Sequence, residues 1–335
     1  MPSRRLFLQQ LGLLASAVLA PACAATTAPP PPAAPLAAPP LQLPALPDLL
    51  TSASLTWLLI ARPQEFTRFA ELDRGARRLI PDARRALFEH ASGIRIDAIE
   101  HLVIAAYPDS TIFLLDPVPD PLLAERRFRD RLMSDVTRSV LRHDLIITRG
   151  RNGLGNKRAL AAMGAHAVAI ESGSWLHTRV AALYAQGKLH RAPRALELPD
   201  VRMLLHRLGD APLLAVAPGP FEGEWQHALH GLLAGCTAAA GAVRPSAGGV
   251  LHVQLELAGD WGPQPAAALD RLAASWNDLS HSSFGRLTGL DEPIDPVRTA
   301  GDVGVIGLSV TLQGARLLDG LYDAVRAEAR DIMRL

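Results

Sequence analysis

Glu224, His227 and His230 are the densest group of metal-ligating side chains in this sequence, a carboxylate and two imidazoles set three residues apart. On a helix such neighbours share a face, and a face of that kind can grip a transition metal. Around them Trp225, Leu229, Leu232, Leu233 and Cys236 recur at helical spacing, which predicts a helix over 223–241. Its buried stripe would contain Cys236 and turn His227 and His230 to solvent. These three residues are the candidates for a metal; no catalytic residue and no cofactor is expected.

Other chemistry-bearing residues gather less well. Gly150-Arg151-Asn152-Gly153-Leu154-Gly155-Asn156-Lys157-Arg158 has the look of a phosphate loop, yet Asn156 stands where a P-loop needs its lysine, and a strand follows where a helix should start. A hairpin turn is expected there. Glu171-Ser172-Gly173-Ser174 and His281-Ser282-Ser283 offer hydroxyls without a recognisable base and orienting group. His166, His252 and His281 are scattered. Asp291-Glu292-Pro293-Ile294-Asp295 reads as a solvated connection.

The elements that carry these residues follow from apolar periodicity. Strands are expected at 55–62, 100–106, 110–116, 143–149, 157–162 and 166–171, with helices at 66–79, 81–91, 121–133 and 174–187. A second series has strands at 212–217, 249–258 and 302–312, and helices at 223–241, 264–288 and 314–334. The two series echo each other. Leu58-Leu59-Ile60-Ala61-Arg62-Pro63-Gln64-Glu65-Phe66 aligns without gaps with Leu213-Leu214-Ala215-Val216-Ala217-Pro218-Gly219-Pro220-Phe221. Val168, Ile170, Val180, Leu183 and Tyr184 likewise correspond at one offset to Ile306, Leu308, Leu318, Leu321 and Tyr322, an offset short enough that the second copy would lack a hairpin. The expectation is an α+β fold of two related ferredoxin-like halves, residues 49–200 and 201–335, with sheets covered by helices on one face.

Composition sets the function classes. A chain of 335 residues, 49% hydrophobic, can bury a large core, and its net charge of +1 lacks the basic footprint of a nucleic-acid binder. Residues 49–200 are net basic and 201–335 net acidic. Arg74, Arg77, Arg78, Arg84 and Arg85, with Arg126, Arg127, Arg129 and Arg131, could face an anionic surface, although ordinary solvated helix faces are the stronger explanation of such charges.

The N-terminus holds the most specific motif. Ser3-Arg4-Arg5-Leu6-Phe7-Leu8-Gln9 and the apolar stretch Leu11 to Ala20 form a signal peptide over 1–23, and Ala20-Pro21-Ala22-Cys23 offers a lipidation cysteine. Ordinary signal-peptidase cleavage is the alternative. Residues 24–48, rich in Ala and Pro, read as a disordered linker. These motifs, confined to residues 1–47, resemble uncharacterised exported bacterial lipoproteins with twin-arginine-type signals. That resemblance implies a body folded before export, anchored in the membrane through a lipid on Cys23 and located in the periplasm or at the outer membrane. The functional expectation is a tethered envelope protein that binds or assembles with an unknown protein or envelope ligand. An exported metal- or cofactor-dependent enzyme is the alternative.

Overall fold

Short apolar runs bounded by Gly, Pro and Asp become strands throughout this chain, because small and β-branched side chains can be buried on both sides of a sheet. The computed structural model describes residues 39–332 except 190, 263 and 264. It opens with β1 (Trp57–Ala61), then helices α1 (Pro63–Thr67), α2 (Ala70–Leu79) and α3 (Asp82–Ser92). The hairpin β2 (His101–Tyr107) and β3 (Ser110–Asp116) leads to helix α4 (Pro121–Arg127). A meander of β4 (Ser134–Arg142), β5 (Leu145–Arg151), β6 (Lys157–Met163) and β7 (Ala167–Ser172) ends in α5 (Leu176–Ala185). After α6 (Pro199–Leu208) come β8 (Leu213–Pro218), β9 (Cys236–Ser246), β10 (Val250–Gly259), α7 (Ala266–His281), α8 (Ser283–Thr288), β11 (Arg298–Asp302), β12 (Val305–Gln313) and α9 (Gly314–Ile332).

The fold is α+β. All these strands join one 12-stranded sheet in the order β11-β12-β10-β9-β8-β1-β2-β3-β7-β6-β5-β4. Every pairing is antiparallel. The echoing segments meet at its middle, where Leu58 pairs with Val216 and Ala61 with Leu213. Outward from that pair the order is β1-β2-β3-β7 in one direction and β8-β9-β10-β12 in the other. A ferredoxin-like unit interleaves its third strand between the first two, whereas here β2 lies directly beside β1 and β9 beside β8.

Helices cover both faces, which corrects the expectation of one covered face. Along β7, Ala167 and Ala169 join the core under α5, while the alternate Val168 and Ile170 join a second cluster with Ala124 and Phe128. A strand buried on both sides needs two helical layers. On the second half, α6 lies over β8, β9 and β10, while α7 and α9 cover the opposite face around Leu257, Ile306 and Leu308, with α8 packed against these two helices.

The helix expected at 223–241 is not formed. Gly223–His227 and Leu232–Gly235 are short 3-10 turns, and the alanine-rich stretch after them is β9. Ala238, Ala240 and Ala242 alternate into the core shared with Val201, Leu204 and Leu208 of α6. Alanine favours a helix in isolation, but small side chains on alternate positions let α6 lie close on the sheet, and burial overrides propensity. The helix expected at 264–288 breaks at Ser282, whose Oγ accepts the Gly285 N–H at 3.0 Å and caps α8. The sequence pattern also missed β4 and α6.

The folded body starts ahead of Leu49. The Leu41 N–H donates to Asp144 Oδ2 at 2.6 Å, and Leu46 is buried with Leu49 and Leu50. Residues 41–48 of the expected linker therefore belong to the body, because their leucines cover one end of the core. Among the described residues no helix is long and apolar enough to cross a membrane. The signal motif and Cys23 lie outside the described residues.

Candidate functional site

The polar cluster of the molecule forms where β7 hands over to α5, beside the turn of the β2–β3 hairpin. A helix start leaves backbone N–H groups without partners. Three are met here by side chains: Ser174 Oγ accepts from Leu176 N–H at 3.0 Å, and the two oxygens of Glu171 accept from His177 N–H at 3.2 Å and Thr178 N–H at 2.8 Å. Thr178 Oγ1 donates a further bond to Glu171 Oε2 at 2.8 Å. Gly173 makes this junction possible. Its φ is +102°, and a Cβ there would overlap the carbonyl oxygen of Asp109 in the hairpin turn, so only glycine lets the two segments touch.

His177 sits between the two segments. Its Nδ1 lies 2.8 Å from Ser110 Oγ and 3.2 Å from Glu171 Oε1. Its ring stacks on Tyr107 with centroids 3.6 Å apart and planes 13° apart. Tyr107 OH donates to the Thr51 carbonyl at 3.0 Å. Burial opposes the charge on Glu171, but the bonds from His177 and Thr178 outweigh it and hold the carboxyl below the usual glutamate range. A carboxylate can only accept, which assigns the neutral ring its proton at Nδ1. Ser110 Oγ shares that proton. Nε2 makes no hydrogen bond among the described residues, and the ring lines a hollow. Burial, with the nearby Tyr184 and Glu171, drives the Tyr107 phenol well above its ordinary range, so it stays protonated as a donor.

A hydroxyl, an imidazole and a carboxylate thus meet, but not as a hydrolase relay. In a relay the hydroxyl and the carboxylate sit on opposite ring nitrogens. Here both are on Nδ1, and the nitrogen free to face a ligand is Nε2.

The hollow has a volume of about 400 Å³ and is bounded by Thr51, Ser54, Tyr107, Asp109, His177 and Tyr184 among others. Ser54 and Pro108 also border a larger hollow of about 900 Å³ at the ends of β1 and β8. Trp57 and Leu198 line it from one side of the β1–β8 pairing and its flanks, Phe221, Glu222 and Trp225 from the other. Trp57 is 39% and Trp225 59% exposed, so two indole faces are presented to a visitor.

The residues singled out from sequence are dispersed. His227 ends a 3-10 turn and His230 Nε2 bonds Asp278 Oδ2 at 2.9 Å; the side chain of Glu224 lies outside the described set. Their helical face does not exist. Among the described residues no three His, Cys, Asp or Glu side chains are placed to hold a metal ion. Gly150–Arg158 is the β5–β6 hairpin, its tip held by Asn152 Oδ1 accepting from Leu154 and Asn156 N–H at 3.1 and 2.9 Å. His166 pairs with Asp116, His281 bonds the Asn277 carbonyl at 2.9 Å, and His252 lies 3.1 Å from Ser246 Oγ. Cys236 is buried at the start of β9, where desolvation pushes its thiol up to about 11. Several of the arginines expected on a basic face are taken up locally: Arg77 by Asp73, Arg78 by Asp319, Arg85 by Asp97, and Arg127 and Arg131 by the last carbonyls of α3.

Sequence reading had Glu171 and Ser174 in view but missed Tyr107, Ser110, His177 and Thr178. The local signal was present, a glutamate ending an apolar strand, a Ser-Gly-Ser turn and a His-Thr pair opening the helix. Their union with the distant Tyr107 and Ser110 depends on β3 pairing with β7, which no local pattern reports. Comparison with family models, curated proteins and solved structures finds no match.

Proposed function

We propose that this is an exported protein of the bacterial cell envelope, lipid-anchored at Cys23, whose body binds a ligand in the cleft between two related halves. The cleft carries this reading: of two adjoining hollows the larger is lined by residues of both halves at the ends of β1 and β8, with Trp57 and Trp225 exposed and Phe221 half-buried, and the smaller by the Tyr107–His177 cluster. Concave, largely apolar sites with a few oriented polar groups are where small molecules bind. His177 Nε2 would accept a hydrogen bond from the ligand, and the indoles would cover its apolar part. The relation between the halves is supported by the pairing of Leu58 with Val216 and Ala61 with Leu213, a register that maps each echoing segment onto the other by a half turn.

Export and anchoring rest on Arg4, Arg5 and Cys23. Cys23→Ser is expected to move the protein from the membrane fraction to the soluble one. A wild-type protein already soluble defeats the tether. For the cleft, native mass spectrometry of protein recovered from its own envelope should show a bound small molecule that Trp225→Ala with Phe221→Ala removes. Bare protein that also fails to enhance anilinonaphthalenesulfonate fluorescence removes the binding reading.

A second reading, an exported enzyme, is favoured by one observation: His177 lines the hollow with Nδ1 tied to Glu171 and Ser110, which leaves Nε2 without a hydrogen bond among the described residues. That is how a general base is oriented. Hydrolysis of small nitrophenyl esters by the wild type, abolished in His177→Ala, would favour it over binding alone.

A further inference from the structure

The outer end of the first half holds a separate concavity whose charges do not balance. α4 widens into a π-turn over Phe128–Leu132, the edge strand β4 runs beside it, and a hollow of about 460 Å³ opens between them. Glu125 forms its base and is 2% exposed. It accepts from Thr148 Oγ1 at 2.5 Å and from Arg138 Nε at 3.2 Å, and Arg129 Nη1 lies 3.6 Å away. Arg129 is also held by Asp130, its Nε 2.8 Å from Oδ1. Arg126, one residue beyond Glu125, lines the same hollow without a hydrogen bond or ion pair among the described residues.

Three guanidinium groups therefore share two carboxylates, and one positive charge is left over. Arg138 is bound through Nε alone, so its two terminal nitrogens are free among the described residues. Converging cations repel, and a buried carboxylate that draws two of them together spends part of its attraction on that repulsion. The arrangement fits an additional anion bridging Arg126 and Arg138, because planar guanidinium forks match tetrahedral oxyanions with paired hydrogen bonds. The π-turn fits this as well, since such turns recur where helices present functional side chains. Leu122 and Val140, 41% and 58% exposed, border the hollow and leave room for an apolar part of the ligand.

We infer that this hollow is a site for a phosphate group, with Arg126 and Arg138 as its ligands and Glu125 as the residue that positions Arg138 and Arg129. The group would be presented either on a soluble phosphate compound or on a lipid headgroup.

Calorimetric titration of the full mature chain with inorganic pyrophosphate, and flotation with phosphatidic acid vesicles against phosphatidylcholine vesicles, test this. Binding is expected in at least one arm, weakened about tenfold by Arg126→Ala and by Arg138→Ala. Arg84→Ala, an exposed arginine on α3, should leave it unchanged. Pyrophosphate binding points to a soluble ligand, and vesicle binding alone points to a lipid. Arg126 makes no internal contact that folding needs, so Arg126→Ala should melt like the wild type. No binding in either arm, or equal loss in Arg84→Ala, overturns the proposal.

Discussion

The two strand-to-helix junctions, β7 into α5 and β12 into α9, start from corresponding sequences and end on opposite faces of the sheet. Val168 and Ile170 correspond to Ile306 and Leu308, and each set lies on the face away from α5. Yet α5 folds over the face carrying Ala167 and Ala169, whereas Leu317 of α9 joins the cluster of Ile306 and Leu308. The difference lies in the linking residues. At the first junction Gly173 takes a positive φ and lets the chain cross the hairpin turn at Asp109. The corresponding position in the second is Thr311, inside a strand that continues to Gln313 and enters α9 directly at Gly314. Glu171, His177 and Thr178 correspond to Ser309, Ala315 and Arg316, so only the first junction can assemble a carboxylate-centred cluster. The glycine crossing and the side chains around it together set the first junction apart.

The comparison breaks hardest at Gly173. Gly173→Ala should cost on the order of 3 kcal/mol in denaturant unfolding, combining a left-handed backbone with overlap on Asp109. Gly153→Ala, at an open hairpin tip, should stay within about 0.5 kcal/mol. Equal effects would remove the role assigned to the crossing.

Glu171 comes next. Replacing it with Ala leaves two backbone donors and one hydroxyl unsatisfied and should cost about 2–3 kcal/mol. The pH dependence has a definite sign. A carboxyl whose folded pKa is depressed adds stability above the unfolded value of about 4.3, and that stability is lost as pH falls through the lower folded value. Urea midpoints measured from pH 6 downward should therefore fall less steeply in Glu171→Gln than in the wild type. Parallel acid limbs would show that Glu171 titrates alike in both states.

A matched histidine pair sharpens the contrast further. His177→Ala removes a buried, stacked and hydrogen-bonded ring and should destabilise by about 1–3 kcal/mol. His252→Ala, on an exposed stretch of β10, should change stability by less than about 0.5 kcal/mol. The smallest effect concerns Cys236: its thiol, raised to about 11 and buried, should react with an alkylating reagent at neutral pH only as fast as the protein unfolds. Rapid labelling of the native state would place it outside the core.

Much of this architecture is legible along the chain. The strands at 110–116 and 166–171, the helix at 174–187 and the β5–β6 hairpin follow from apolar periodicity and turn residues, which act over a few neighbours. The stretch 223–241 misleads for the same reason. Its alanines and leucines have helical spacing, but β9 forms because α6 and the neighbouring strands bury Ala238, Ala240 and Ala242.

Local chemistry alone determined the turn at Tyr107-Pro108-Asp109-Ser110 and the helix start after Gly173, because each depends on residues adjacent in the chain. Tertiary structure decided that those two meet, that β1 and β8 face each other across the centre, and that Arg126 and Arg138 share a hollow. Long-range strand pairing brings these groups together, and an antiparallel register is settled by the burial of whole faces rather than by any one segment.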